Sequence, residues 1–507
     1  MLKLLHRVAP GRLGLNTQQS AEELTTDWCI TASNAILDST GRIAARKGTK
    51  RQHSTSVGAS TPVKSIWEYK DSSSNVIEIF AAGNKIYKLD TSAGTTTDIT
   101  GTITTPTDDN WKFQNFNGKC IGFQAGHAPI VLASVAGTFA DIVLSGTNQP
   151  TTAAVDVLSS FGYLFVLDGT NLLISDALDE TSWNTVYDLK TVWTKGMDTA
   201  VTVQTFNGYL FIFGQISTIV YANASTPSTL IKSDILDEGC IARDSVAFTG
   251  TDLIFLSKSG VHSLGRLLIQ KSSPLSLLSG NVKDTLVYYA NTATAANIKA
   301  GYDTYNDQYI LAFPDSTLVY VFNLVPSGNP VVTTWTRLIY SIHETFGQKL
   351  HFGTGDGYVV NNQDYLDDVN VDGTGGSTYY WEVKFGYTSF ANELQVAALQ
   401  HRRKILKDYS VLLTHPAGGP VTLAWSYDFT GNYTSSAVTA TAITQAEYGV
   451  AEYNVDEYSS TPTPEPLAGS PSDEGNVVSF SVSAYVNGYT VACQALTSRF
   501  KYGRMSI

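Results

Sequence analysis

Cysteine and charged residues are scarce in this chain, and both shortages narrow the range of functions. The 507 residues include four cysteines, none of which forms a C-x-x-C pair. Structural zinc sites need closely spaced ligands, and disulfide frameworks need small, cysteine-dense chains. We therefore expect buried free thiols at Cys29, Cys120, Cys240 and Cys493.

Long apolar runs and long helical patterns are also missing. No segment approaches the roughly 18 consecutive apolar residues that indicate a membrane-spanning helix, and the N-terminus lacks the apolar stretch of a signal peptide. We therefore expect that the protein does not insert into a membrane and that it is assembled in a cytoplasm. Charged residues make up 15% of the chain, which holds 41 glycines, 27 tyrosines and 21 phenylalanines. This composition favours strands joined by tight turns.

Positive charge is in deficit, since the formal net charge is −12. Proteins that grip DNA through its phosphates normally present a basic surface, because binding releases counterions. The charge therefore argues against a sequence-specific DNA reader. An acidic protein can still line a passage through which DNA slips without adhering.

A short pattern recurs at intervals of forty-odd residues: an aromatic strand, a turn with Gly or Asn, and an apolar strand. Two-residue hairpin turns need positive φ angles, which Gly and Asn adopt readily. Four strands per unit is the size of a propeller blade. The pattern predicts a β-propeller of six or seven blades, and its leading turns stand at Gly118, Gly162, Gly208, Gly250, Asn306-Asp307 and Gly347.

The predicted fold class is all-β, with the propeller in residues 62–370 and one insertion around residues 265–300. Residues 1–61 are predicted to form the N-terminal segment of an additional β-rich platform, and residues 371–507 its C-terminal domain. Within that domain we expect a hairpin around Pro416–Pro420 and a final pair of strands. Residues 446–475 are acidic and rich in Pro and Ser, which predicts a long exposed loop.

Three segments and their order along the chain carry a family resemblance. They are GLNTQQSAEELTTDWCITASNAILDSTGRIAARKGTK, GCIARDSVAFTGTDLIFLSKSGVHSL and GTGDGYVVNNQDYLDDVNVDGTGG, followed by a closing Tyr502-Gly503-Arg504. In this order they resemble the tail nozzle family of short-tailed bacteriophages, which includes tail tubular protein B and packaged-DNA stabilisation types. The resemblance spans most of the chain.

The resemblance implies a structural protein of the virion tail, not an enzyme, that conducts and retains packaged DNA. It implies a homo-oligomeric ring, a hexamer, below the portal and its adaptor (the head–tail connector). In that family the propeller decorates the tube, and the terminal segments build the platform that docks on the adaptor. Tail fibre or needle proteins are further candidate partners, double-stranded DNA passes transiently, and no cofactor is expected.

Basic residues cluster twice in this acidic chain. We predict that both clusters belong to the platform and contact a neighbouring subunit or the adaptor, whereas the alternative is a solvated face. The clusters comprise Arg42, Arg46, Lys47, Lys50, Arg51, Arg402, Arg403, Lys404 and Lys407.

The acidic loop offers a second candidate site. Repeated around a ring, its carboxylates would create a negative field that repels DNA phosphates. We predict that it reaches the channel or the tip of the tail, and the alternative is an outer-surface loop. Its carboxylates include Glu447, Glu452, Asp456 and Glu457.

A calcium site is a weak candidate. Asp368, Asn370 and Asp372, followed by Gly373, match the opening of an EF-hand loop. Tyr379 stands where the bidentate Glu should be, and no flanking helices are apparent. A solvated Asx-turn is the favoured interpretation.

A carbohydrate-binding propeller used in host attachment is the alternative function. A sialidase-type Asp-box is absent, because Leu178 and Glu180 occupy its Asp and Gly positions before Trp183. The histidines show no metal-ligand spacing, and neither a phosphate loop nor a G-x-S-x-G elbow occurs. Exposed Trp and Tyr side chains at one mouth of the propeller would favour glycan binding.

Overall fold

In a computed structural model the chain is almost entirely β. The structure describes residues 4–505 except 21–23, 184–189, 194–197, 272–275, 326–327, 364, 392–393, 395, 397–398 and 443–464. None of the helices in these described parts is long and apolar enough to cross a membrane. All four cysteines are buried free thiols, as expected.

In the described part of the N-terminal segment, six short strands precede the first blade. They are β1 (Leu4–Val8), β2 (Gly14–Leu15), β3 (Trp28–Ser33), β4 (Ala35–Leu37), β5 (Ile43–Ala45) and β6 (Thr49–Arg51).

Four four-stranded antiparallel blades follow in chain order. The first contains β7 (Ser65–Lys70), β8 (Val76–Ala82), β9 (Lys85–Asp90) and β10 (Thr95–Asp98). The second contains β11 (Lys112–Phe116), β12 (Lys119–Phe123), β13 (Ile130–Leu132) and β14 (Ala140–Asp141). A short parallel pair, β15 (Ser145–Gly146) and β19 (Ser182–Trp183), flanks the third blade, which contains β16 (Ala154–Ser160), β17 (Tyr163–Asp168), β18 (Asn171–Ile174) and β20 (Lys190–Thr191). The fourth contains β21 (Ala200–Phe206), β22 (Tyr209–Gly214), β23 (Thr218–Ala222) and β24 (Ile231–Leu236).

A three-stranded sheet and the predicted insertion come next. The sheet contains β25 (Ala247–Phe248), β26 (Leu253–Ser257) and β27 (Gly260–Ser263). The described residues of the insertion include the helices α1 (Leu264–Gln270) and α2 (Lys283–Thr292). Helix α1 begins where the Ser263 side chain accepts a hydrogen bond from the Arg266 amide, which satisfies one of the free donors of the first turn.

Two further four-stranded blades complete the propeller. The fifth contains β28 (Lys299–Asp303), β29 (Gln308–Phe313), β30 (Leu318–Asn323) and β31 (Val331–Trp335). The sixth contains β32 (Ser341–Glu344), β33 (Leu350–Gly353) and β34 (Val359–Asn362), and β6 from the N-terminal segment pairs with β34 as its fourth strand. The predicted propeller is confirmed, with six four-stranded blades and the three-stranded sheet between the fourth and the fifth.

The repeated turns explain why the sequence predicted the blades. Two-residue turns join the first and second strands of three blades, at Asn117-Gly118, Phe161-Gly162 and Asn207-Gly208. All six residues have positive φ, from 47° to 80°, the conformation that matches the twist of a hairpin.

Hydrophobic clusters join neighbouring sheets around the ring. Separate clusters lie between the first and second, second and third, and third and fourth blades. Others join the fourth blade to the three-stranded sheet, the fifth blade to the sixth, and the sixth to the first. The first strands of successive sheets lie side by side around the axis, and we call them the inner strands.

The platform is formed by two sheets that the C-terminal region builds with N-terminal strands. Its remaining strands are β35 (Tyr379–Phe385), β36 (Arg402–Thr414), β37 (Gly419–Tyr427), β38 (Thr434–Ala440), β39 (Glu465–Gly469), β40 (Glu474–Gly475), β41 (Val478–Val486) and β42 (Ala492–Met505). A ten-stranded sheet runs from the fifth blade through β2, β3, β35, β41 and β37 to β38. A seven-stranded sheet contains β1, β4, β5, β36, β39, β40 and β42.

The predicted hairpin around Pro416–Pro420 is wrong, whereas the two expected final strands are present as β41 and β42 but do not pair with each other. Strands β36 and β42 pair with each other in the seven-stranded sheet, whereas β37 and β41 pair in the ten-stranded sheet. Each short connection therefore crosses from one sheet to the other. Alternating residues around a Gly-Pro turn look the same in a hairpin and in a crossover, so the sequence pattern does not separate them.

Candidate functional site

The junction between propeller and platform is organised around a buried ion cluster. Arg46 is 2% exposed and forms two hydrogen bonds with the Asp367 carboxylate, at 2.8 and 2.6 Å. Arg337 donates to the same carboxylate at 2.7 Å. Burial alone would raise the pKa of Asp367, but the two guanidinium groups hold it below its usual range. The cluster joins the N-terminal segment, the end of the fifth blade and the start of the platform.

Neighbouring groups fix Arg46 in one orientation. Its Nε donates to the Asn34 side chain at 3.0 Å, and one terminal nitrogen donates to the Lys47 carbonyl at 2.9 Å. The guanidinium lies 4.1 Å from the centre of the Tyr379 ring. Such a fork of donors over an aromatic face suits arginine and not lysine. Arg46 is therefore a buried structural residue, and its side chain presents no charge to a partner.

The rest of the first basic cluster is more accessible. Lys47 is exposed, and Lys50 lies half-buried in β6. Arg42 pairs with Asp38 at 2.8 Å in the turn between β4 and β5. Arg51 stacks over the Tyr358 ring at 4.1 Å. Lys47 is therefore the most exposed cation of this cluster and the one best placed to contact a partner.

The second basic cluster lies on β36, where alternate residues face opposite sides of the sheet. Arg403 and Lys407 are exposed, and Arg403 pairs with Glu474 at 2.6 Å. Arg402 lies half-buried, 5.2 Å from the centre of the Tyr502 ring. Lys404 is fully buried and donates to the carbonyls of Leu399 and Asn476. Burial lowers the pKa of Lys404 to about 8.

The residues of the weak calcium candidate are engaged in other contacts. Asp368 pairs with Arg337 at 3.0 Å, and Asn370 accepts a hydrogen bond from Arg51 at 3.3 Å. Asp372 accepts from both the amide and the hydroxyl of Thr374, which is an Asx-turn. Across the described ranges, no group of three or more His, Cys, Asp or Glu residues is arranged to hold a metal ion.

The acidic loop is described only in part. Glu447, Glu452, Asp456 and Glu457 lie outside the described residues. Its C-terminal part is not a loop, because β39 and β40 pair along β36. At the start of β39, Glu465 accepts hydrogen bonds from the amide and hydroxyl of Thr441. The expectation of one exposed loop over residues 446–475 is therefore wrong for its last third.

A charged cluster that the sequence interpretation missed lies at the propeller axis. Asp244 accepts hydrogen bonds from Arg243 at 2.9 and 3.1 Å and from Lys299 at 2.6 Å, and Lys112 lies 3.4 Å away. Burial alone would raise the pKa of Asp244, but these cations hold it well below its usual range. We call Lys112, Arg243, Asp244 and Lys299 the axial cluster. Each of these residues lies at or just before the start of an inner strand. Charged residues at the strand starts of the repeat are therefore the sequence signal that could have predicted the axial cluster.

Exposed aromatic side chains gather at the opposite ends of the inner strands. Each lies in or beside the turn that follows an inner strand, and all such turns share one face of a propeller. Their exposed fractions run from 43% to 75%. They are Phe161, Tyr209, Phe248, Tyr305 and Phe346.

Comparison with known proteins identifies the family of this chain. A family model described as "Bacteriophage P22 Gp10, beta-propeller", of the phage stabilisation type, matches residues 33–364. This is more than half of the chain and includes every inner strand of the propeller. No curated protein sequence matches the chain.

Solved structures that resemble the chain do so distantly. PorZ, a surface component of the type-IX secretion system of Porphyromonas gingivalis, is 12% identical with a TM-score of 0.39, and the match covers 60% of this chain and 37% of PorZ. The Pan2 WD40 domain of Neurospora crassa is 10% identical with a TM-score of 0.39, covering 63% of this chain and 97% of that domain. The extracellular domain of BT4673 from B. thetaiotaomicron is 8% identical with a TM-score of 0.41, covering 83% of this chain and 60% of that one. These likenesses bear on no function.

Proposed function

This chain belongs to the phage stabilisation family of bacteriophage P22 Gp10, and from that premise we propose that it forms the nozzle ring of a phage tail. In this role it is a non-enzymatic virion component below the portal and its adaptor, where it conducts and retains packaged DNA. The ring is a homo-hexamer, assembled in the cytoplasm of the host bacterium.

The observation that best supports this role is the continuous ten-stranded sheet. Strand β31 of the fifth blade lies beside β2, and the same sheet continues through β3 and β35 into the platform. Strand β31 meets β2 and β3 through one residue pair each, Gly14 with Val332 and Ser33 with Thr334. Side-chain hydrogen bonds from Thr334 to the Ala32 carbonyl and from Trp335 to the Ala35 carbonyl strengthen this junction. These contacts join the propeller to the platform and support a role in which the two act as one component.

The exposed cations of the platform region provide the proposed adaptor contact. Lys47, Arg403 and Lys407 are exposed, whereas Arg46 and Lys404 are buried within the chain. Exposed charges steer association and are screened by salt within about 8 to 10 Å. An acidic patch on the adaptor or on a neighbouring subunit is the surface they would meet.

Charge reversal tests this contact. The triple variant Lys47→Glu, Arg403→Glu, Lys407→Glu should bind a portal–adaptor complex at least tenfold more weakly, and its binding should fall faster with salt. The matched control is Lys85→Glu, because Lys85 is an exposed cation of the first blade. Equal binding by both variants across salt concentrations would refute the proposed contact.

Ring formation is tested separately, by negative-stain imaging of the purified protein mixed with its adaptor ring. Six propellers around each adaptor are expected. Absence of binding to any portal–adaptor assembly would refute the nozzle role, and another stoichiometry would refute the hexamer alone.

We propose that the acidic segment between β38 and β39 acts on the DNA. Deleting residues 446–464 removes Glu447, Glu452, Asp456 and Glu457 and leaves the paired strands β39 and β40. Filled particles with this deletion should leak DNA or change their ejection rate. Unchanged retention and ejection in correctly assembled tails would place the segment on the outer surface.

Glycan binding is a second candidate, favoured by the exposed aromatic side chains. They stand among uncharged turn residues such as Asn207, Thr249 and Asn306, so that apolar faces alternate with hydrogen-bonding groups. Sugar rings stack their C–H faces on aromatic rings and use such polar groups for their hydroxyls. Retention of the protein on host surface polysaccharide, lost in the variant Tyr305→Ser, Phe346→Ser, would support this function, and equal retention of both proteins would refute it.

A further inference from the structure

A cavity of about 110 Å³ lies on the propeller axis, beside the axial cluster. It is bounded by the first residues of the inner strands and therefore lies at the face opposite the exposed aromatic side chains. One water needs about 10 to 15 Å³ of such space, so the cavity holds several waters or one small polyatomic ion. Its polar lining includes Lys64, Lys112, Asp244, Lys299 and His343.

The charge balance around the cavity depends on two buried carboxyl groups. Lys64 pairs with Asp108 at 2.7 Å, which makes that pair neutral. The axial cluster holds three cations, Lys112, Arg243 and Lys299, against the Asp244 carboxylate. Two further buried carboxylates lie nearby: Asp156, which accepts hydrogen bonds from Thr202 and the Val203 amide, and Asp109, whose carbonyl accepts from the cavity residue Ser65. Burial raises the pKa of both carboxyl groups. The three cations of the axial cluster are therefore fully balanced only when Asp109 and Asp156 are both ionised.

Hydrogen-bond donors are also in surplus. An ammonium group has three N–H donors. Lys299 uses one on Asp244 and one on the Asn110 side chain, at 2.6 and 2.5 Å, and Lys112 has a single contact at 3.4 Å. These two lysines therefore keep donors for a further acceptor. The Lys299 side chain is 6% exposed, so bulk water reaches it poorly.

One wall of the cavity carries an unpaired polar atom. His343 lines the cavity, and its Nε2 is buried with no hydrogen-bond partner. Burial lowers the pKa of His343 to about 3, so its ring is neutral at physiological pH. A neutral imidazole can donate one hydrogen bond to an anion without adding charge.

We propose that this axial cavity binds a small oxyanion, either free inorganic phosphate or a carboxylate from a partner protein. Such an ion accepts hydrogen bonds from the spare donors of Lys112 and Lys299. A metal cation, by contrast, would meet the three positive side chains of the axial cluster. Burial lowers the pKa of Lys299 to about 8 even though the Asp244 carboxylate lies 2.6 Å from its ammonium group.

Calorimetric titration of the full chain with inorganic phosphate tests the site, with chloride at equal ionic strength as the reference. Saturable binding and a rise in melting temperature with phosphate are expected, because a ligand that binds the folded state stabilises it. Lys112→Gln should weaken binding about tenfold, the worth of one charge-assisted hydrogen bond. Lys112→Arg should restore it, and Lys85→Gln, which removes an exposed cation of the first blade, should leave it unchanged.

Acetate distinguishes the two sources of the anion. Phosphate binding without acetate binding assigns the site to a free oxyanion, whereas comparable acetate binding assigns it to an acidic side chain of a partner. No saturable binding of either ion, or equal responses from the unchanged chain and Lys112→Gln, would overturn the proposal. If Lys112→Gln fails to fold, crystals of the unchanged chain soaked in selenate decide: selenium density on the axis supports the site, and its absence overturns it.

Discussion

Replacing Arg46 with alanine is expected to destabilise the fold far more than its position in a run of basic residues indicates. The side chain makes four hydrogen bonds: two to Asp367, one to Asn34 and one to the Lys47 carbonyl. Removing one partner of a buried ion pair costs about 3 to 5 kcal/mol, because the remaining charge stays buried. Arg337 still pairs with Asp367 at 2.7 Å, so we expect the lower part of that range, about 3 to 4 kcal/mol.

Arg42 provides a control from the same basic cluster. Its pair with Asp38 lies within one turn, and the two side chains are 29% and 19% exposed. Pairs that solvent reaches contribute about 0.2 to 1 kcal/mol, so Arg42→Ala should cost less than about 1 kcal/mol. Arg46→Lys keeps the charge but loses the planar fork and the stacking on Tyr379, so its cost should lie between the two.

Urea unfolding followed by tryptophan fluorescence measures these differences, since the midpoint shifts while the slope is retained. A midpoint for Arg46→Ala equal to that of Arg42→Ala would refute the assignment of Arg46 as a buried structural residue. The same measurement separates a folding defect from an assembly defect. In a docking assay alone, a variant that does not fold because it lacks Arg46 would look like a variant that folds but does not dock.

Three further predictions concern a strained turn, a buried lysine and the closure of the ring. Phe161→Asn should stabilise the fold by about 0.5 to 1 kcal/mol, because Phe161 has a φ of 53° and asparagine adopts this conformation at lower cost; a lower melting temperature would contradict this. Unfolding free energy should rise with pH between about 8 and about 10.5, because the unfolded chain keeps protons on Lys404 and Lys299 that the folded chain has lost. Lys404→Met should reduce that rise in urea midpoints, and an unchanged pH dependence would exclude Lys404 as a source. Glu78→Ala should lower the free energy of unfolding by about 1 to 3 kcal/mol, because it leaves the buried His351 ring without its hydrogen-bond acceptor. Glu78 of the first blade accepts from His351 of the sixth at 2.7 Å, and both side chains are about 5% exposed or less. A cost below about 0.5 kcal/mol in thermal unfolding would show that this pair does not hold the ring closed.

The propeller could be predicted from the sequence because its requirements are local. A two-residue hairpin turn needs positive φ, and Asn117-Gly118 and Asn207-Gly208 meet that need within the repeat itself. Ring closure could not be predicted in this way. Strand β6 pairs with β34, which lies about three hundred residues later in the chain. The sequence around so short a strand does not indicate which distant strand it pairs with.

The basic clusters could have been interpreted more closely from the sequence. In β36, Lys404 and Leu406 share one face, and Arg403 and Lys407 share the other, as a period of two requires. That alternation predicts that Lys404 points inward, although its carbonyl partners come from elsewhere in the fold. No such signal exists for Arg46, because its carboxylate partner Asp367 follows the whole propeller in the chain.

The burial of these cations bears on how an acidic protein could conduct DNA. Lys404 has carbonyl partners and no paired carboxylate, and the axial cluster holds more cations than carboxylates. Among the described residues, however, six carboxylates are buried as well (Asp71, Glu78, Asp109, Asp156, Glu180 and Asp303) against three fully buried cations (Arg46, Lys299 and Lys404). The solvent-facing surface therefore stays acidic, as the formal net charge of −12 indicates. In a nozzle ring such a surface repels DNA phosphates and keeps a moving duplex from adhering. Retention of the genome must then come from a physical obstruction or a partner and not from attraction, so that raising the salt concentration should leave retention nearly unchanged while weakening the platform–adaptor contact.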